Sequence, residues 1–208
     1  MIVPNQPMCT SFAGSRMIAT GSLFEVALQS KARLDAGEQE NILIFDDETS
    51  NVIEIDFRGQ IETFKSRLAE HCTNATVHAG TTNNTETTYS TESGARGRGR
   101  PKLGVVAREV TLLPRHWEWL NQQPGGASVA LRKLVEEAKR TNIYKDERRF
   151  AQNSTYKFMS AMAGNSTGFE EATRALFAAN KHQFHEHMKS WPSDIKAHIQ
   201  KISEKAFA

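Results

Sequence analysis

Cysteine is nearly absent, with only Cys9 and Cys72 in 208 residues. Their separation fits neither a zinc knuckle nor a CxxC redox pair, and two thiols cannot staple a disulfide-rich scaffold. They read as reduced thiols of a cytoplasmic protein. Long apolar runs are missing too. No stretch approaches the ~18 residues that a membrane-spanning helix needs, so no membrane partner is expected. Met1-Ile-Val-Pro-Asn-Gln-Pro7 has neither a basic n-region nor a continuous apolar h-region, which predicts no secretory signal. Asn-x-Ser/Thr matches at Asn74, Asn83, Asn153 and Asn165 then carry no glycosylation meaning. Catalytic signatures are equally scarce. There is no GxSxG and no suggestive Cys-His pair. Gly97-x-Gly99 has no strand before it and no helix after it, so it is no nucleotide loop. Neither an enzyme nor a cofactor is expected.

Charge of one sign is also lacking overall, with 26 Lys and Arg against 24 Asp and Glu and a net charge of +2. That total hides an uneven distribution. Residues 1–80 hold 6 basic and 11 acidic side chains, 81–95 none and 2, and 96–208 hold 20 and 11. The three segments therefore carry −5, −2 and +9. Such asymmetry points to contact with an anionic partner such as nucleic acid.

The chain reads as α+β: a small ββαββα N-terminal domain, a linker, a basic strand-helix-helix unit and a helical C-terminal domain. In the acidic domain, residues 9–71, Thr10–Ala13 and Met17–Thr20 form a hairpin around Gly14-Ser15. A helix follows from Ser22 to Ala36, with Gly37 as its stop. Asn41–Phe45 and Val52–Phe57 then form two strands joined by the Asp46–Asn51 turn, and Ile61–Glu70 a second helix. Residues 72–95 offer almost nothing to bury and read as a flexible linker. At the other end, residues 147–206 show four stretches of helical spacing, Glu147–Ala163, Phe169–Ala179, Gln183–Ser190 and Pro192–Ala206. Pro192 suits the first position of the last helix.

Between linker and helical domain lie the motifs that carry chemistry. Arg96-Gly-Arg-Gly-Arg-Pro-Lys102 is a basic arm containing Arg98-Gly-Arg-Pro101, and it resembles an AT-hook. Glycine lets an extended backbone lie deep in a narrow groove, while Arg98 and Arg100 spread along its floor, with Arg96 and Lys102 flanking them. Narrow A·T-rich minor grooves concentrate the negative potential that attracts such arginines. Next, in residues 103–141, a short strand Arg108–Leu113 runs into a proline-started helix, Pro114–Gln123, which Pro124-Gly-Gly126 breaks. Ser128 then caps a helix whose Leu131, Leu134, Val135 and Ala138 form one apolar stripe. Trp117, Trp119 and Trp191 read as core residues.

The order and spacing of this segment resemble the ribbon-helix-helix DNA-binding family. The resemblance implies a homodimer whose two strands pair into a ribbon in the major groove, with the second helix aiming its N-terminus at a phosphate. On that reading Arg108, Thr111 and Arg115 lie on or beside the ribbon, Ser128 caps the phosphate-facing helix, and Arg132 and Lys133 grip phosphates. The strand departs from the family pattern. With Leu113 inward, the groove meets Arg108, Val110 and Leu112; with Val110 and Leu112 inward, it meets Glu109 and Thr111. Neither register supplies a clean polar triplet for base edges.

Most of the chain outside the linker also resembles a bacterial family, the domain of unknown function 2239 family. The resemblance rests on Ile42-Leu-Ile-Phe-Asp-Asp47, on Gly97 through Ala138, and on Lys157–Gly164 with Gly168–Phe177. It implies no activity. Two minor features read as solvated surface: Asp46-Asp47-Glu48 as an acidic turn, and His182, His185 and His187 as exposed side chains that do not converge on one metal ion. The expectation is a homodimeric bacterial DNA-binding protein, a transcriptional regulator located with the nucleoid and bound to A·T-rich double-stranded DNA. The competing expectation is a protein-interaction module, antitoxin-like or an inhibitor, whose acidic N-terminal domain binds a partner protein.

Overall fold

The computed structural model describes residues 7–78, 106 and 108–208, the stretch 71–78 by its backbone. The basic arm, Arg96–Lys102, lies outside the described residues, as does the linker beyond residue 78.

Strand β1 (Met8–Ala13) and β2 (Arg16–Ser22) form the expected hairpin. Ser22 then caps α1 (Leu23–Asp35) in a reciprocal capping box with Glu25. β3 (Ile42–Asp46) pairs antiparallel with the other side of β1, giving the sheet order β2-β1-β3. A fourth strand was expected at Val52–Phe57. Instead this segment is extended without a ladder and touches the sheet at one isolated bridge, Phe45 to Val52, and one hydrogen bond, Ile53 N to Ile44 O at 2.8 Å. Its alternation is nonetheless as expected: Ile53, Ile55 and Phe57 are partly covered, while Val52, Glu54 and Asp56 face out. Asp56 is occupied there by Arg58 and Arg67, which hold its carboxyl down to about 2. Helix α2 (Ile61–His78) continues well past the expected end at Glu70, so the first part of the expected linker is helical.

The helices after the linker are α3 (Pro114–Asn121), α4 (Gly126–Ala163), α5 (Phe169–Phe177), α6 (Lys181–His187) and α7 (Ser193–Ile202), with a final 3-10 turn at Glu204–Phe207. Two expected helices, one capped by Ser128 and one starting at Glu147, are a single 38-residue helix. No proline or glycine interrupts residues 127–163, so nothing in the backbone ends the first helix. Pro192 precedes α7 as its N-cap and does not occupy its first turn.

The largest difference concerns domains. The described residues up to 78 and residues 143–208 form one compact unit, and residues 106–142 a second. The N-terminal domain and the C-terminal helices are therefore not separate. The strands alternate their side chains between two cores. Cys9, Ala19 and Ile44 join Leu23, Val26, Ala27, Phe64 and Leu68 on one face. Phe12 and Phe45, on the other, join Phe158, Met159, Leu176, Ile195 and Ile199 of the C-terminal helices. Rings of Phe12, Phe45, Phe158 and His198 meet at centroid distances between 4.5 and 6.2 Å. The seam is also polar: Ser154 Oγ donates to Glu48 O at 2.8 Å, Lys157 Nζ to Asn51 Oδ1 at 3.0 Å, and Lys201 Nζ pairs with Asp47 Oδ2 at 2.8 Å.

Candidate nucleic-acid interface

The second unit is built on a tight helical turn. Leu113 is the extended N-cap of α3, and its carbonyl accepts from His116 N at 2.8 Å and Trp117 N at 3.3 Å. Pro114 follows in the first turn, where it loses no needed donor. The turn into α4 passes through Gly125 (φ +87°) and Gly126 (φ +75°). Consecutive left-handed residues are costly for any side chain with a Cβ, so the Pro124-Gly-Gly126 break has a steric cause. Leu120 is buried, and Ala130 nearly so.

Around this small contact most of the unit's large apolar side chains remain uncovered. Val110, Leu113, Trp119 and Val135 are each at least half exposed, and Trp117 and Leu134 more than a third. The two tryptophans are thus not core residues within the chain, unlike Trp191, which is buried and donates to Thr167 O at 2.8 Å. Arg108–Leu113 forms no strand within the chain. A ladder needs a second strand, and the described residues of this unit contain none.

The side chains expected to meet DNA share that exposure. Arg108, Thr111, Arg115, Arg132 and Lys133 all face solvent. Ser128 does not cap α4, because the helix begins two residues earlier at Gly126. Its side chain instead accepts from Arg132 Nη2 at 3.2 Å, and its carbonyl from Arg132 Nε at 3.2 Å, which holds that guanidinium along the first turns of the helix. Continuity of α4 adds two residues the sequence reading missed. Lys139 and Arg140 are exposed two turns beyond Arg132 and Lys133 and fall on the same face. The i, i+7 spacing was the available signal. Glu136 and Glu137 lie between the two pairs, yet among the described residues none of these four cations forms an ion pair.

The acidic half is less free than its composition implies. Glu38 pairs with Arg16, Asp35 with Lys31, Asp47 with Lys201, Asp56 with Arg58 and Arg67, and Glu62 with Lys65. Asp46 is spent on its own turn, accepting from Thr49 N and Thr49 Oγ1, each at 2.7 Å. Glu186 titrates below its usual range because Lys189 donates to it. His187 lies 3.3 Å from Gln183 Oε1, and His185 against Phe184. Among the described residues no three His, Cys, Asp or Glu side chains are grouped to hold a metal.

The whole is a mixed α+β protein with a three-stranded sheet between helical layers and a basic, helical second unit. No helix among the described residues is long and apolar enough to cross a membrane. The chain belongs to a family described as an uncharacterized protein conserved in bacteria (DUF2239), whose model matches residues 8–203. No curated protein and no solved structure matches it.

Proposed function

We propose that the chain is a homodimeric DNA-binding protein acting as a transcriptional regulator. In this reading the 106–142 unit pairs with a second copy in ribbon-helix-helix fashion and the Arg96–Lys102 arm enters an A·T-rich minor groove. One observation carries it: the unit that exposes Arg132, Lys133, Lys139 and Arg140 along one helix is also the unit whose apolar side chains lack cover. An extended segment and two helices that bury little beyond Leu120 and Ala130 do not offset the ordering entropy of some three dozen residues. A second copy supplies the missing cover, pairs Arg108–Leu113 with its equal, and doubles the phosphate-facing charge.

The phosphate term is measured directly by salt. Binding of the full chain to an A·T-rich duplex weakens linearly in log K against log salt, and replacing both Arg98 and Arg100 by Ala lowers the slope by roughly 2. An unchanged slope removes the arm from the interface. No duplex binding even at low salt overturns the DNA reading in favour of a protein-interaction module.

A further inference from the structure

We infer that a cleft in the compact unit binds a small organic cation, one that joins a positive centre to a flat or apolar body. Its residues all belong to the unit that holds the sheet and the C-terminal helices, so the inference stands apart from the DNA-binding reading.

Three segments meet there: the turn after β3, the part of α4 from Asp146 to Ser154, and the end of α7 with the final 3-10 turn. They bound an open cleft of about 610 Å³, within the ~300–1,000 Å³ range of small-molecule sites. Along α4, Glu147, Phe150, Ala151 and Ser154 recur at helical spacing, so one face of the helix forms a wall. The floor is apolar. Ala151 is buried and Ile202 partly covered, while the Phe150 ring is 48% exposed although Ala151 and Gln152 beside it are buried. The walls are braced by the chain itself: Ser154 Oγ donates to Glu48 O at 2.8 Å, and Lys201 Nζ pairs with Asp47 Oδ2 at 2.8 Å. In the sequence, Asp46-Asp47-Glu48 reads as a solvated acidic turn. Packing of α4 and α7 beside it makes it one edge of a cleft.

The rim carries the charge. Asp47 is matched by Lys201, and Asp146 lies 3.9 Å from Arg149. Among the described residues, the lining carboxylates left without an ion pair are Glu48, Glu147 and Glu204, against one such cation, Lys205. Carboxylates beside an exposed aromatic ring favour positive charge in two ways. Coulomb attraction strengthens where an apolar floor displaces water, and the face of the ring is itself negative. An anion is repelled by both. Among the described residues no three His, Cys, Asp or Glu side chains are grouped to hold a metal, and a bare ion would leave the apolar floor unused. The fitting occupant carries both a cation and an apolar body.

The test uses the full chain and a matched pair of probes, tetraphenylphosphonium and tetraphenylborate, alike in size and shape and opposite in charge. In isothermal titration calorimetry the phosphonium ion is expected to bind at one site, at least about tenfold more tightly than the borate ion. Glu147→Gln with Glu204→Gln, and separately Phe150→Ala, should each weaken that binding at least about fivefold. All three side chains are exposed, so the fold is kept, and urea unfolding equal to that of the wild type checks it. Amide resonances of the wild type give a readout that needs no variant: those around Phe150 and Ile202 should shift on adding the phosphonium ion. No binding of the phosphonium ion, equal binding of the two ions, unchanged affinity in both variants, or shifts confined to residues 106–142 each overturns the inference. None of these outcomes bears on duplex binding, which the salt series measures separately.

Discussion

Histidine 198 sits on α7 with its ring 4.5 Å from that of Phe158 and 5.5 Å from that of Phe12, and it is 2% exposed. Its Nε2 is buried without a hydrogen-bond partner. Loss of solvent around a charged imidazolium is the main cause that lowers its pKa from 6.5 to about 4; Lys201 adds to the shift, and Asp47 opposes it. The folded pKa lies below the unfolded one, so the unfolded chain takes up this proton first as pH falls. The stabilisation is fully present above about pH 6.5, is lost progressively between 6.5 and 4, and changes little below that. A separation of about 2.5 pKa units corresponds to about 3 kcal/mol. Carboxylates titrate in part of the same window, so the comparison must cancel them. Urea unfolding of the wild type and His198→Leu, run at intervals from pH 7.5 to 4, does so. The stability of the wild type relative to the variant should fall by about 3 kcal/mol across the series. A difference that stays constant with pH, or a His198 imidazole resonance titrating near 6.5, would refute the reasoning.

Three further outcomes follow from the packing. Phe158→Ala removes the ring at which Phe12, Phe45 and His198 meet and should cost about 3–5 kcal/mol in urea unfolding; a loss under about 1 kcal/mol would mean that the sheet and the C-terminal helices do not share this core. Gly168→Ala places a Cβ 2.8 Å from His187 O at a φ of +81°, which should cost at least about 2 kcal/mol and show as a lowered Tm. Leu134→Glu with Val135→Glu puts charge on the exposed stripe of α4 and should weaken self-association at least about 100-fold in sedimentation equilibrium, with the unfolding of the Phe158 core unchanged. Self-association equal to that of the wild type would exclude this stripe from the contact.

How much of the fold is legible before the structure depends on how many faces each element buries. The hairpin, the capped α1 and the C-terminal helices announce themselves through turn residues, Ser22 with Glu25, and spacings of three and four. Strand β1 does not announce its role. Cys9, Thr10, Ser11, Phe12 and Ala13 are all buried, because the strand is central in its sheet and covered on both sides. A doubly covered strand loses the alternation that marks a half-buried one. Of its polar members, Thr10 is partnered, its Oγ1 donating to Asp47 Oδ1 at 2.6 Å and lying 3.1 Å from Thr20 Oγ1, whereas Ser11 Oγ is buried without a hydrogen-bond partner. Without alternation, nothing in the local pattern shows that a second layer arrives from a segment more than a hundred residues away. The Thr-rich linker and the charge asymmetry then suggest separate N- and C-terminal domains, although Phe12 and Phe158 belong to one core.

The candidate interface was legible for a different reason. Its signals are local chemistry: a proline at a helix start, two glycines where φ is positive, and an apolar stripe at helical spacing. All three appear in the structure where the residues place them. The error at Ser128 came from the same reasoning applied one step too far. Serine before an apolar stripe is a good cap, but Gly126 and Ala127 let the helix start earlier, and α4 then runs on through Glu147 because no residue stops it. That continuity has a physical consequence. Residues 132–141 are exposed along their whole length while they include Leu134, Val135 and four cations. In water a helix this open draws little stability from its own packing. An isolated sequence describes one half of such a surface; the other half belongs to whatever covers it. This is why the stripe reads as core in the sequence and as surface in the single chain, and why the Leu134→Glu, Val135→Glu variant separates the two.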